Sequence, residues 1–135
     1  MRHLAAVVVL SFGVAAGSSG CCRLNLCGCS GSGKTWTAKP VAAIENLDAP
    51  ECIVADPANG VAYISNIETS TGGYWVDDGE AFISRIGAEG TMQKLRWLDS
   101  SPAARIHAPK GMTILDGYLY FNDNATLKRC RIETA

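Results

Sequence analysis

The most chemically suggestive residues of this chain lie near its start. Gly28, Gly33, Lys34 and Thr35 satisfy the pattern G-x-x-x-x-G-K-[ST] letter for letter. In a nucleotide site such a loop wraps phosphates with backbone N–H groups, its lysine reaches the outer phosphates, and its threonine holds Mg²⁺. That chemistry requires a buried strand before the loop and a helix after it, because the helix N-terminus holds the anion. Here only Leu24-Asn25-Leu26 precedes the loop, and Pro40 follows too closely for a helix to open. No βαβ pattern and no acidic Mg²⁺ partner can be placed downstream. A flexible Gly/Ser linker is the preferred reading, with ATP or GTP binding as the alternative.

Cys21, Cys22, Cys27 and Cys29 overlap this region. Four thiolates can close a tetrahedral zinc shell, but the spacing C-C-x4-C-x-C lacks the paired C-x2-C knuckles of such sites. The preferred reading is a tether with one lipidated cysteine. Cys52 and Cys130 sit in strand-like runs and are expected to behave as small buried hydrophobes.

The context is that of an exported chain. Residues 4–16 are an apolar run behind Arg2 and His3, of signal-peptide length and too short to span a membrane. Small residues then lead to Cys21. Ser19-Gly20-Cys21 resembles the end of a bacterial lipoprotein signal, although Ser18 stands where leucine is usual. Cleavage after Ala15-Ala16-Gly17 is the rival reading. The expected organisation is a signal peptide over 1–20, a Cys/Gly/Ser-rich linker over 21–43 and a folded body over 44–135. The product would be a periplasmic or outer-membrane lipoprotein, with a lipid anchor as its membrane contact, or a secreted protein.

Of the 135 residues, 47% are hydrophobic and 19% charged, a globular composition. The net charge of −1 argues against a nucleic-acid partner. Fourteen glycines and the strand patterns argue against a helical bundle.

The body is an internal repeat. Ala49-Pro50 recurs 59 residues on as Ala108-Pro109, and Tyr63 recurs 57 residues on as Tyr120, so the turn between them is two residues shorter in the second unit. Such self-similarity indicates a repeat architecture. In the first unit strands are expected at 52–55, 61–67, 81–86 and 91–98, with a hairpin turn at Asn59-Gly60 and a polar loop over 68–80. Leu95 and Trp97 are expected on one face of an outer edge strand, and Lys94 and Arg96 on the other. In the second unit strands are expected at 112–115, 118–122 and 127–132. The fold class is therefore all-β: antiparallel four-stranded blades of a β-propeller, one complete (about 47–98) and one partial (about 106–135). A propeller needs ~4–8 blades to close, so the chain is expected to be a fragment of a longer product.

Residues 49–66, with Ala-Pro-Glu-Cys-Ile-Val-Ala-Asp-Pro and Asn-Gly-Val-Ala-Tyr-Ile-Ser-Asn, resemble the first blade of the senescence-marker-protein/gluconolactonase family of six-bladed propellers. Residues 108–112 and 117–123 look like the following blade, and the wider NHL-type propellers share this rhythm. The resemblance implies a Ca²⁺ or Mg²⁺ ion at the channel mouth, held by a Glu of the first blade and by Asn and Asp of later ones. That ion would polarise a lactone or ester carbonyl and activate water. Only Glu51 matches a family ligand, and Lys110 stands at the corresponding place in the second unit. The fragment alone is expected to be inactive.

Other candidates have plainer readings. Asp77-Asp78-Gly79-Glu80 lacks calcium-loop spacing and reads as a solvated loop. His107 reads as a surface residue, Asn122-Asp123-Asn124 as a turn that caps a strand, and Trp75 and Trp97 as packing residues. Three functions follow: part of an exported metal-dependent lactone/ester hydrolase, a non-catalytic module binding protein or sugar, or an ATP/GTP-binding protein.

Overall fold

The computed structural model describes residues 6–8, 38–40, 42–70 and 72–134. The four clustered cysteines, the P-loop match at 28–35 and most of the expected signal peptide lie outside the described residues. Among the described residues the fold is all-β, with no α-helix. A short strand β1 (Ala6–Val8) pairs antiparallel with β2 (Ala42–Ile44). Then come β3 (Pro50–Asp56), β4 (Val61–Asn66), β5 (Phe82–Gly87) and β6 (Met92–Asp99), one antiparallel sheet in chain order. A second antiparallel sheet holds β7 (Pro109–Leu115), β8 (Tyr118–Asp123) and β9 (Thr126–Arg131), followed by one 3-10 turn, Ile132–Thr134.

The repeat offset has a local cause. Sheet two joins β7 to β8 through Asp116 and Gly117, at φ 51° and 75°. Two successive left-handed residues form the tight turn whose twist suits adjoining strands. Sheet one joins β3 to β4 through four residues, 57–60, of which Gly60 is left-handed at φ 64°. Asp56 closes this longer turn by accepting hydrogen bonds from the Asn59 backbone N–H at 3.3 Å and side-chain Nδ2 at 2.7 Å.

The core lies between the sheets. Successive strand residues point to opposite faces, so Val61, Tyr63 and Ile83 project from sheet one toward Leu119 and Phe121 of sheet two. Trp97 joins them, its ring centroid 4.5 Å from that of Tyr63 at a 48° tilt. Burying one such side chain stabilises the fold by roughly 1.5–3 kcal/mol. The other face of sheet one, with Ala62, Ile64 and Ile86, is covered by Ile44 and Leu47. β4 is therefore buried along its whole length, as its two-sided apolar sequence requires.

Two expectations change in detail. Leu95 and Trp97 do not share a face: Trp97 enters the intersheet core, whereas Leu95 lines a cleft with Ile44 and Met92. The β5–β6 register shifts on either side of Arg85, which breaks strict alternation. Cys52 and Cys130 are half-buried rather than fully buried. Cys130 packs against the intersheet core, where burial raises its thiol pKa above the usual value and leaves it a poor nucleophile.

Tyr63 is fully buried, and its hydroxyl has no hydrogen-bond partner among the described residues. Burial raises its pKa above the ordinary 10.0; Asp56 adds to the shift and Arg85 opposes it. The folded chain thus keeps a proton that the unfolded chain loses at high pH. The associated stability is intact below about pH 10 and falls as pH rises through the folded pKa. Tyr63→Phe removes both the unpaired hydroxyl and this titration. The variant should gain about 1 kcal/mol in urea unfolding at neutral pH and lose less stability than the parent above pH 10.

Candidate functional site

One end of the two sheets gathers the starts of β3 and β7 and the ends of β4 and β8. Equivalent residues organise it in both repeats. In sheet one, Asn66 at the end of β4 accepts the Asp48 backbone N–H at 3.1 Å and donates Nδ2 to Ile64 O and Ser84 Oγ, both at 3.0 Å. In sheet two, Asp123 at the end of β8 accepts the backbone N–H groups of His107 at 2.9 Å and Ala108 at 2.7 Å. Each side chain ties the lead-in of a first strand to the end of the second. Asp123 is buried, and its charge is balanced by Lys128 Nζ at 2.5 Å, which also donates to Arg105 O. A buried carboxylate requires such pairing. The expected Asn122-Asp123-Asn124 turn is thus also an anchor. His107 is half-buried, with Nδ1 unpaired among the described residues, rather than a surface side chain.

The 67–81 loop folds across this end onto the second sheet. Lys110 Nζ donates to Tyr74 O at 3.1 Å, Ala108 O at 3.3 Å and Asn124 Oδ1 at 3.4 Å. The same ammonium sits 3.9 Å from the centroid of the Trp75 ring, within cation–π range. Asn124 Nδ2 donates to Asp77 Oδ1 at 2.6 Å, and the Ala81 N–H donates to Ile106 O at 3.1 Å. Sheet two therefore fixes the loop at several points along its length.

These contacts leave Trp75 73% and Tyr74 54% exposed, with Val76 beside them. Trp75 is not the packing residue expected from sequence; that description fits Trp97. The ring rests on Lys110 and opens to solvent, with the carboxylate of Asp77 and the amide of Asn124 close by in the hydrogen-bond network. An aromatic surface flanked by fixed polar groups can hold a ligand with an apolar face and hydroxyls around its edge. Sequence reasoning passed over this pair. The available signal was Tyr74-Trp75-Val76 inside an otherwise Gly- and Asp-rich loop.

Glu51 lies exposed on β3 at this same end. Among the described residues no three His, Cys, Asp or Glu side chains stand close enough together to hold a metal. Cys21 and the candidate nucleotide residues Gly28, Gly33, Lys34 and Thr35 lie outside the described residues. No known protein family matches the chain, and no curated protein or solved structure matches it either.

The Asp123 anchor should separate charge from geometry. Asp123→Ala strands two buried N–H groups and the Lys128 ammonium, and should cost about 3 kcal/mol in urea unfolding. Asp123→Asn keeps an acceptor, as Asn66 does in sheet one, and should cost about 1 kcal/mol.

Proposed function

We propose that the two sheets are successive blades of a β-propeller and that the protein is an exported binding module that stacks a sugar ring on Trp75. The propeller reading is supported by the chain-ordered antiparallel strands, the repeated anchors at Asn66 and Asp123, and face-to-face packing of equivalent units. Export is supported by the apolar run over 4–16. The observation that carries the binding reading is the Trp75 ring, 73% exposed yet held from beneath by Lys110. Exposing so much aromatic surface is unfavourable in the free protein, and holding it in one orientation lowers the entropy lost when a ligand stacks on it. Asp77 and Asn124 can accept and donate hydrogen bonds to ring hydroxyls.

Neutral hexasaccharides of glucose, xylose and N-acetylglucosamine, titrated against tryptophan fluorescence, test this reading. At least one should shift the emission saturably. Trp75→Ala should weaken that ligand by roughly tenfold or more while leaving stability within about 0.5 kcal/mol, because the side chain is exposed. An unchanged affinity in Trp75→Ala, or no response to any sugar, would sink the proposal. The metal-dependent lactone/ester hydrolase implied by the family resemblance is supported only by the place of Glu51 in the first unit. Calorimetric Ca²⁺ binding that disappears in Glu51→Gln would favour it instead.

A further inference from the structure

We infer that Asp77 sets the charge selectivity of the Trp75 platform, so that the site takes neutral sugar rings and refuses uronic acids, the sugars that carry a carboxylate. The inference rests on the stacking reading of Trp75 and names the class of sugar that fits it. Charge is unevenly placed here. Residues 67–81 hold Glu68, Asp77, Asp78 and Glu80 and no lysine, arginine or histidine, in a chain whose net charge is only −1. Asp78 is tied into the loop, its Oδ1 accepting the Glu80 N–H at 3.1 Å. Asp77 is exposed and directly follows the Tyr74-Trp75-Val76 triad. Its Oδ1 accepts Asn124 Nδ2 at 2.6 Å, so its partner is neutral and engages one oxygen. Among the described residues no basic side chain forms an ion pair with Asp77. Its negative charge is uncompensated, and its second oxygen is open to a donor from outside.

The carboxylate is held at the rim of the platform by a chain of contacts. The Trp75 ring rests on Lys110 Nζ, Lys110 donates to Asn124 Oδ1, and Asn124 Nδ2 donates to Asp77. Both ends of the Asn124 amide are engaged, which fixes its orientation. Asn124 itself sits at φ 49° between β8 and β9, a left-handed conformation that asparagine tolerates better than most residues. Lys110 cannot offer a ligand a hydrogen bond in place of Asp77. Its ammonium has three N–H donors, and three oxygens take them: Tyr74 O, Ala108 O and Asn124 Oδ1. It also covers one face of the indole, so a sugar stacks on the other face with the ring between itself and the cation.

This arrangement separates two kinds of sugar. A neutral ring can donate a hydroxyl proton to the open oxygen of Asp77, a charge-assisted hydrogen bond. An ionised uronic acid replaces that donor with a group that only accepts and that carries the same charge as Asp77. Two like charges ~5 Å apart at a protein surface shift an affinity by roughly tenfold. Dissolved salt screens such a pair, so refusal by charge weakens as salt rises, whereas refusal by shape does not. Asp77 is thus the residue that decides between the two classes, and Asn124 is the positioning residue that holds it there.

The test titrates matched pairs of hexasaccharides against the tryptophan fluorescence of the full chain. The glucose and N-acetylglucosamine oligomers are each paired with a form oxidised to the carboxylate at C6, and the xylose oligomer with one carrying a glucuronic acid branch. In each pair that responds, the neutral sugar should bind roughly tenfold or more tightly at low salt, and the gap should narrow in about 0.5 M NaCl. Asp77→Asn keeps an acceptor for Asn124 and removes the charge, and should bring the two affinities to within about twofold of each other. Asn124→Gly keeps the left-handed turn but releases the carboxylate, and should lower the same ratio. A merely structural role would weaken both sugars alike and leave the ratio unmoved. Saturable binding with equal affinity across the pairs would overturn this inference and leave the stacking reading standing. So would a preference that survives Asp77→Asn, or one that salt does not change. If no neutral sugar shifts the emission, both readings fall together.

Discussion

The structure depends on one contact surface: the face of sheet one that carries Tyr63 and Trp97, pressed against Leu119 and Phe121 of sheet two. A twisted antiparallel sheet of three or four short strands must bury at least one face to be stable. Here each sheet gives one face to the other. Tyr63 places a hydroxyl with no partner among the described residues at the centre of this surface, and its ring fills the space beside Trp97. Every loop with chemical potential is suspended from strands that this contact holds in place.

The second level of organisation is polar. Asn66 and Asp123 occupy the same place in the two repeats and do the same work with different charge. Each receives the backbone of a strand lead-in, which sets where the first strand of its sheet begins. The ionised version in sheet two carries a dedicated lysine, and that lysine reaches into the segment joining the sheets through Arg105 O. Lys110 and Asn124 then anchor the long loop of sheet one onto sheet two. The aromatic platform is thus a product of the packing between the sheets and belongs to neither alone.

Much of the fold was legible in the sequence because it obeys period-2 alternation and internal repetition. Ala49-Pro50 with Ala108-Pro109, and Tyr63 with Tyr120, located both units, and Asp116-Gly117 located the tight turn. The partition of Leu95 and Trp97 was not legible, since it depends on register shifts around Arg85 that leave no mark in the hydrophobic pattern. The site was harder still. Trp75 reads like any core aromatic until the chain is folded. Its support comes from Lys110, thirty-five residues away in sequence and in the other sheet. Glu51 was singled out only through the family resemblance, and it lies exposed near the start of β3. Asp123 looked like a turn residue because short polar runs after strands are usually turns; its buried pairing with Lys128 appears only in three dimensions.

The central claim is that the two sheets form one cooperative unit through the Tyr63–Trp97 face. Native-state amide hydrogen exchange tests it most directly. The most protected amides of β4 and β5 and those of β8 should open with one common free energy, equal to that of global unfolding. If the β8 amides instead exchange through a separate opening lower by more than about 2 kcal/mol, the sheets fold independently and the account fails.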